Sequence, residues 1–186
     1  MSPTGALVLQ RPRIEVVIRQ TGWAFWPLFK PHHYLADAGP MPFGTAFVGF
    51  VDETPVVHLG MSTKWIGSGA SGRVEARACR MVVMPEWQGA GVGMRFLNAL
   101  CERELQGVGM ANRKTTTLFH TNHPALTAAL RRDGHWRQIS QMLHGGANKP
   151  RNGMKWGGHL RGVQGYRFYG EEGVRQARLA TQASGG

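Results

Sequence analysis

This sequence is short of acid. Its 186 residues hold 11 Asp and Glu against 22 Lys and Arg, a formal net charge of +11. Cysteine is scarce too, with two residues. Cys79 and Cys101, in a presumed strand and a presumed helix, offer neither a disulfide framework nor a metal knuckle. They read as reduced core thiols of a cytosolic protein. No run of 18 apolar residues occurs, so no transmembrane helix is expected. The opening Met1-Ser2-Pro3-Thr4-Gly5 lacks the basic and then apolar pattern of a secretory signal. His58, His120, His123, His135, His144 and His159 show no metal-ligand spacing, and no zinc site is expected.

What is present is a core and a surplus of arginine. Hydrophobic residues make up 42% of the chain, enough to bury one core at this length. Seventeen of the cations are Arg, whose planar fork suits phosphate. From His135 onward, Arg137, Lys149, Arg151, Lys155, Arg161, Arg167, Arg175 and Arg178 face only Glu171 and Glu172. Such a field favours polyanions, and double-stranded DNA is the expected partner. Solvated cations of a generally basic protein would give the same count.

Periodicity and punctuation lay out the elements. β-Branched residues over 14–18 predict a first strand. The aromatic stretch 23–35 predicts short helical turns, interrupted by Pro27 and Pro31. Residues 39–43 form a Pro/Gly loop. Residues 45–51 and 55–60 form a hairpin across Asp52-Glu53-Thr54. A loop over 67–72, a long strand over 74–84 and a turn over 85–89 follow. Val92, Phe96 and Leu100 mark an amphipathic helix over 91–106. A strand over 114–120 leads to a helix over 124–132, with Asn122 near its N-cap and Gly134 as its stop. The Gly-rich stretch 138–170 holds two strands, the clearer at 165–169, and 177–186 is small and polar. The expected class is therefore mixed α/β with one strand–helix–strand crossover: one domain over 1–170 and a flexible tail over 171–186.

The segment Gln88-Gly89-Ala90-Gly91-Val92-Gly93 joins strand to helix. Amides at a helix start and the helix dipole favour an anion there, and glycines let a pyrophosphate approach the backbone. A Gly-x-Gly pattern by itself is also what a tight turn carries. His32-His33-Tyr34 concentrates titratable groups that can move protons near neutral pH. Surface imidazoles beside a packed ring would look the same. Trp23, Trp26, Phe29 and Tyr34 suit either core packing or base stacking. Glu75, at the start of the long strand, is either a general base or the ion-pair partner of Arg73 or Arg77.

Two motifs in order resemble the GNAT N-acetyltransferase superfamily. Gln88-x-x-Gly91-x-Gly93 follows Arg80-Met81-Val82-Val83-Met84-Pro85, and Asn122-x-x-Ala125 precedes Leu130 and Gly134-His135-Trp136. The resemblance spans about half of the chain, residues 45–136. It implies a mixed central sheet whose fourth and fifth strands splay apart near a bulge, flanked by helices. It implies acetyl-CoA or a related acyl-CoA, with pantetheine paired to the backbone of Met81, Val82 and Met84 and with Val83 also among the cofactor-binding residues. The pyrophosphate then lies on Gln88, Gly89, Ala90, Gly91, Val92 and Gly93, with Asn122 beside the cofactor. An amine attacks the thioester directly, Glu75 stands where such proteins often place a base, and an acid protonates the thiolate. The family's usual Tyr falls at Leu130, which cannot donate a proton. Either another group such as Tyr34 or water replaces it, or the chemistry differs from plain acetyl transfer.

A narrower likeness joins His32-His33-Tyr34-Leu35, the 80–93 motif and Thr121-Asn122-His123-Pro124-Ala125-Leu126. Together they resemble Mom-like phage proteins, which modify adenine in DNA to an N6-carbamoylmethyl form against restriction. That likeness implies DNA as substrate, His32, His33 and Tyr34 on the acceptor side, and a bacterial host cytoplasm. An ordinary acetyltransferase of amines and a non-catalytic nucleic-acid-binding protein remain the alternatives.

Overall fold

Strands rich in Val, Phe and Ala form the centre of the molecule, and helices close it on both sides. In the structure, a computed structural model, residues 13–35, 39–41, 43–67, 72–110, 112–144 and 161–184 are described. The loops expected over 39–43 and 67–72 thus fall partly outside the described residues. Lys149, Arg151, Lys155 and His159 fall wholly outside them. The strands are β1 (Val17–Gln20), β2 (Thr45–Val51), β3 (Thr54–Ile66), β4 (Arg73–Val83), β5 (Thr117–Thr121), β6 (Trp136–His144) and β7 (Arg161–Phe168). The helices are α1 (Trp26–Phe29), α2 (Val92–Gln106), α3 (Pro124–Arg132) and α4 (Gly170–Ser184), with 3₁₀ turns at Lys30–His32 and Pro85–Trp87.

All seven strands join one sheet in the order β1-β2-β3-β4-β5-β7-β6. β4 and β5 are parallel, and the other neighbouring pairs are antiparallel. The sheet is covered on both faces. On one, Val92, Phe96, Leu97, Leu100 and Cys101 of α2 pack with Leu59, Met61, Ala76, Ala78, Phe119, Tyr166 and Phe168. On the other, Trp26 and Phe29 of α1 pack with Val48, Phe50 and Val82. Burial on both faces explains why β2 reads as a run of apolar residues rather than an alternation. Each large side chain so buried contributes about 1.5–3 kcal/mol.

The caps set where α2 and α3 begin and end. Gly107, at φ 84°, ends α2 and returns its N–H to the carbonyls of Arg103 and Glu104. Pro124 opens α3, and His123 rather than Asn122 is its cap, its ring nitrogen accepting from the Leu126 amide at 3.4 Å.

Three expectations are corrected, and the two strands expected within 138–170 are found with shifted bounds. The first strand lies at 17–20, not 14–18. The fifth starts at Thr117, because the Thr115 amide turns to the Glu104 carbonyl and its hydroxyl to the Val74 carbonyl. The ambiguous 138–170 stretch contributes β6 and β7 over 136–144 and 161–168. The segment expected as a tail is helix α4 over Gly170–Ser184. Its first turn carries Glu171 and Glu172, which suit a helix N-terminus, and it packs on α2 and β6.

Candidate functional site

β4 and β5 pair only over three registers, Ala76↔Thr117, Arg77↔Leu118 and Ala78↔Phe119. Beyond them the strands part. Between His58↔Val82 and Gly60↔Cys79, β3 advances two residues while β4 advances three. The extra residue makes a bulge at Arg80 and Met81, opposite Leu59. Arg80 has φ 51°, a left-handed conformation costing about 1–2 kcal/mol for a residue with a Cβ. His58 supports it. The ring is fully buried, and Nδ1 donates to the Arg80 carbonyl at 3.0 Å.

Past the bulge, one edge of β4 faces the gap. Met84 commits its N–H to the Val56 carbonyl on β3, at 2.9 Å. Val82 sits in register with His58 and turns its backbone the same way, since hydrogen-bonding direction alternates along a strand. The backbone groups of Met81 and Val83 therefore point into the gap. The expected four-residue set thus divides, with Val82 and Met84 serving the sheet instead. The Val83 carbonyl already accepts from the Gln88 side chain at 3.0 Å, which ties the glycine loop to the strand end.

That loop has the geometry of an anion cradle. Gly89 and Gly91 have φ 82° and 77°, and a Cβ at either would meet nothing within 4 Å. Gly91 is the N-cap of α2, and no side chain caps the helix. Its first-turn amides are therefore free to bind an acceptor from outside. Gly93 serves packing instead: a Cβ there would stand 2.8 Å from Met81 Cε and from Val83 Cγ2. The glycine thus lets α2 lie close on β4. Across the gap, Asn122 follows β5, and its buried Oδ1 has no hydrogen-bond partner among the described residues.

The face opposite α2 carries the aromatic and imidazole groups. Trp23, Trp26 and Phe29 surround His58, with ring centroids 5.7, 5.1 and 5.3 Å away. Burial lowers its pKa to about 4, despite the bond to the Arg80 carbonyl. His33 is nearly buried and packs against Trp26 and Tyr34. Its Nδ1 donates to the Leu35 carbonyl at 3.3 Å in the tautomer that leaves Nε2 free to take a proton, and in the other tautomer accepts from the Leu35 amide at 3.2 Å. Burial also lowers the His33 pKa, and the Arg80 charge adds to the effect. His32 is exposed. The Tyr34 ring reaches His123 at the start of α3, 6.3 Å away. His33, Tyr34 and His123 thus meet where β4 and β5 part. His123 and His58 were absent from the expected site. The one signal for His123 was its place beside Asn122, and His58 had none.

Glu75 is not in this group. It lies five residues before the bulge, about 16 Å along the strand. It is 1% exposed and ion-paired to Arg73 at 2.7 Å and Arg167 at 3.1 Å. Leu130 is fully buried in the core against the sheet.

No family model and no curated protein sequence matches the chain. The fold does match solved structures. Arabidopsis thaliana NAA60 in complex with acetyl-CoA aligns with a TM-score of 0.60 at 9% identity, over 84% of this chain and 99% of that one. Drosophila melanogaster polyamine N-acetyltransferase gives 0.55 at 13% identity, over 83% and 99%. A GNAT-family acetyltransferase of Streptococcus pneumoniae gives 0.52 at 11% identity, over 82% and 98%. The fold is that of the GNAT acetyltransferases.

Proposed function

We propose that this chain is an acyl-CoA-dependent N-acyltransferase that moves an acetyl group from acetyl-CoA to a primary amine. One observation carries the reading: the β4 bulge at Arg80 opens a gap beside an uncapped, glycine-lined helix N-terminus. A linear thiol cofactor with a pyrophosphate fits both halves. Met81 and Val83 pair with pantetheine, the 88–93 loop holds the pyrophosphate, and Asn122 supplies an acceptor oxygen across the gap. The amine nitrogen attacks the thioester carbonyl carbon, the C–S bond breaks, and the amine loses a proton to a base. Tyr34 protonates the thiolate, in place of the residue missing at Leu130, and His33 or a water beside it takes the amine proton. Glu75, clamped by two arginines, is the weaker candidate for base. Calorimetry with acetyl-CoA, then thiol release across a panel of amines, tests the proposal. Absence of acetyl-CoA binding would reject it.

A second reading keeps adenine in DNA as the acceptor. The net charge of +11 and the exposed Tyr34 ring favour it, whereas Trp23 and Trp26 are committed to packing around His58. An adenine amine is a poor nucleophile and must leave the duplex to react. Binding to DNA should then weaken with salt at a log–log slope of about −0.9 per phosphate contacted. Mass spectrometry of nucleosides from expressing cells decides: unmodified deoxyadenosine, with acetylation of a small amine, removes this reading. DNA binding without any product would leave the protein a non-catalytic binder.

A further inference from the structure

The acceptor face of the sheet carries an excess of positive charge. Arg73, Glu75 and Arg77 alternate onto it along β4, Arg80 follows at the bulge, and Arg167 of β7 reaches across to Glu75. Glu75 is the one carboxylate in that set, and Arg73 and Arg167 already hold it. Arg77 and Arg80 are left over. Among the described residues neither makes an ion pair, and both are half-buried. Arg80 has a neutral partner, the Gly39 carbonyl at 3.0 Å from Nε. Both guanidinium groups act electrostatically on Cys79, which lies between them in sequence, and Arg80 also acts on His33. Arg80 therefore lies near His33 where the two strands part, and Arg77 lies on the same face as Cys79, about 10 Å back along the strand from Arg80.

A cation half removed from water without a counter-charge is unfavourable, and it is retained where a ligand supplies the opposite sign. We propose that the acceptor amine also carries an anionic group, a carboxylate or a phosphate, seated on Arg77 and Arg80. This rests on the acyl-transfer reading above, because it takes this face as the acceptor side. The substrate class is then a low-mass amino acid or amino phosphate. Polyamines, the acceptors named for the Drosophila protein, are repelled, since they would bring further positive charge to a face with no free carboxylate among the described residues.

The test compares 2-aminoethyl phosphate and β-alanine with 1,3-diaminopropane. Thiol release from acetyl-CoA should be faster with one or both anionic amines than with the diamine, and the better anion identifies the group. Arg77→Gln should raise KM for that anion about tenfold and leave acetyl-CoA affinity unchanged, while Arg77→Lys retains most of the activity. Independently of turnover, each amine is titrated into the free protein and followed by NMR. The anions should shift the Arg77 and Arg80 Nε–H signals and the Cys79 amide; the diamine should not. Equal shifts from the diamine, or none from either anion, overturn the proposal whether or not acetyl-CoA binds. Anion shifts in a protein that never binds acetyl-CoA would instead keep the anion site and remove the transferase reading.

Discussion

The ring of Tyr34 stands edge-on to that of His123 at 6.3 Å, bridging from the segment after α1 to the first turn of α3. Between them β4 and β5 have already parted. In the proposed reaction Tyr34 is the phenol that protonates the departing thiolate. Tyr34→Phe keeps the ring and removes the hydroxyl. Its kcat should fall by about 100-fold, with acetyl-CoA affinity unchanged. An unchanged kcat would assign the proton to water.

The glycines of the 88–93 loop should separate binding from packing. Gly91→Asp sets a negative charge where the pyrophosphate is proposed. At about 4 Å and an effective dielectric constant of about 20 the repulsion is about 4 kcal/mol, which should abolish acetyl-CoA binding. Its effect on folding should be limited to the backbone strain of φ 77°, about 1–2 kcal/mol. Gly93→Ala should do the reverse. Its Cβ would press on Met81 and Val83 and lower stability by about 1–3 kcal/mol. Urea denaturation and calorimetry on both variants read the two effects.

His58 should make the fold sensitive to acid. Burial holds its pKa at about 4, whereas the unfolded chain titrates near 6.5. Between those values the unfolded state binds the proton and the folded state does not, so stability falls as pH drops. The loss amounts to about 3 kcal/mol by pH 4. His33, lowered in the same direction, adds to it. His58→Asn keeps a donor for the Arg80 carbonyl and should remove most of this acid sensitivity. His58→Leu should leave that carbonyl unpaired, costing about 1–3 kcal/mol, and raise hydrogen exchange at Met81. Equal exchange in both variants would show that the bulge does not depend on His58.

At higher pH a different network should respond. Asn98 of α2 donates to Asp133, and His135 bonds Asp133 at 2.6 Å and Glu171 of α4 at 3.2 Å. Burial lowers the His135 pKa, but its two carboxylate partners outweigh that and raise it overall. Its stabilising contribution is therefore complete below about 6.5 and is lost as pH rises through the raised folded value. Asp133 runs the other way. Burial raises its pKa, but bonds from Asn98 and His135 lower it overall, so its contribution is lost only when pH falls through that lowered value. Thermal unfolding from pH 6 to 9 should show a decline that His135→Gln flattens. An unchanged profile would mean that this contact does not hold α4.

The local elements were legible because local rules govern them. The apolar spacing of Val92, Phe96 and Leu100 placed α2, and Pro124 with the stop at Gly134 placed α3. The tail was misread because its small residues signal helix weakly, and its helix depends on docking to α2 and β6. The bulge was legible only through resemblance, since nothing local in Cys79-Arg80-Met81 calls for φ 51° at an arginine. The pairing of Glu75 with Arg167 was not legible either, because the partners come from strands 92 residues apart.

The sequence by itself determined the α/β class, the central hairpin and the glycine loop, because spacing, propensity and backbone freedom are properties of neighbouring residues. Only the tertiary structure decided which groups share the site. It turned Glu75 into a buried ion-pair member, brought Tyr34 to His123, and left Arg77 and Arg80 on the face opposite α2. Those outcomes follow from strand register and from which residues pack over which face, and both are settled by contacts between distant parts of the chain.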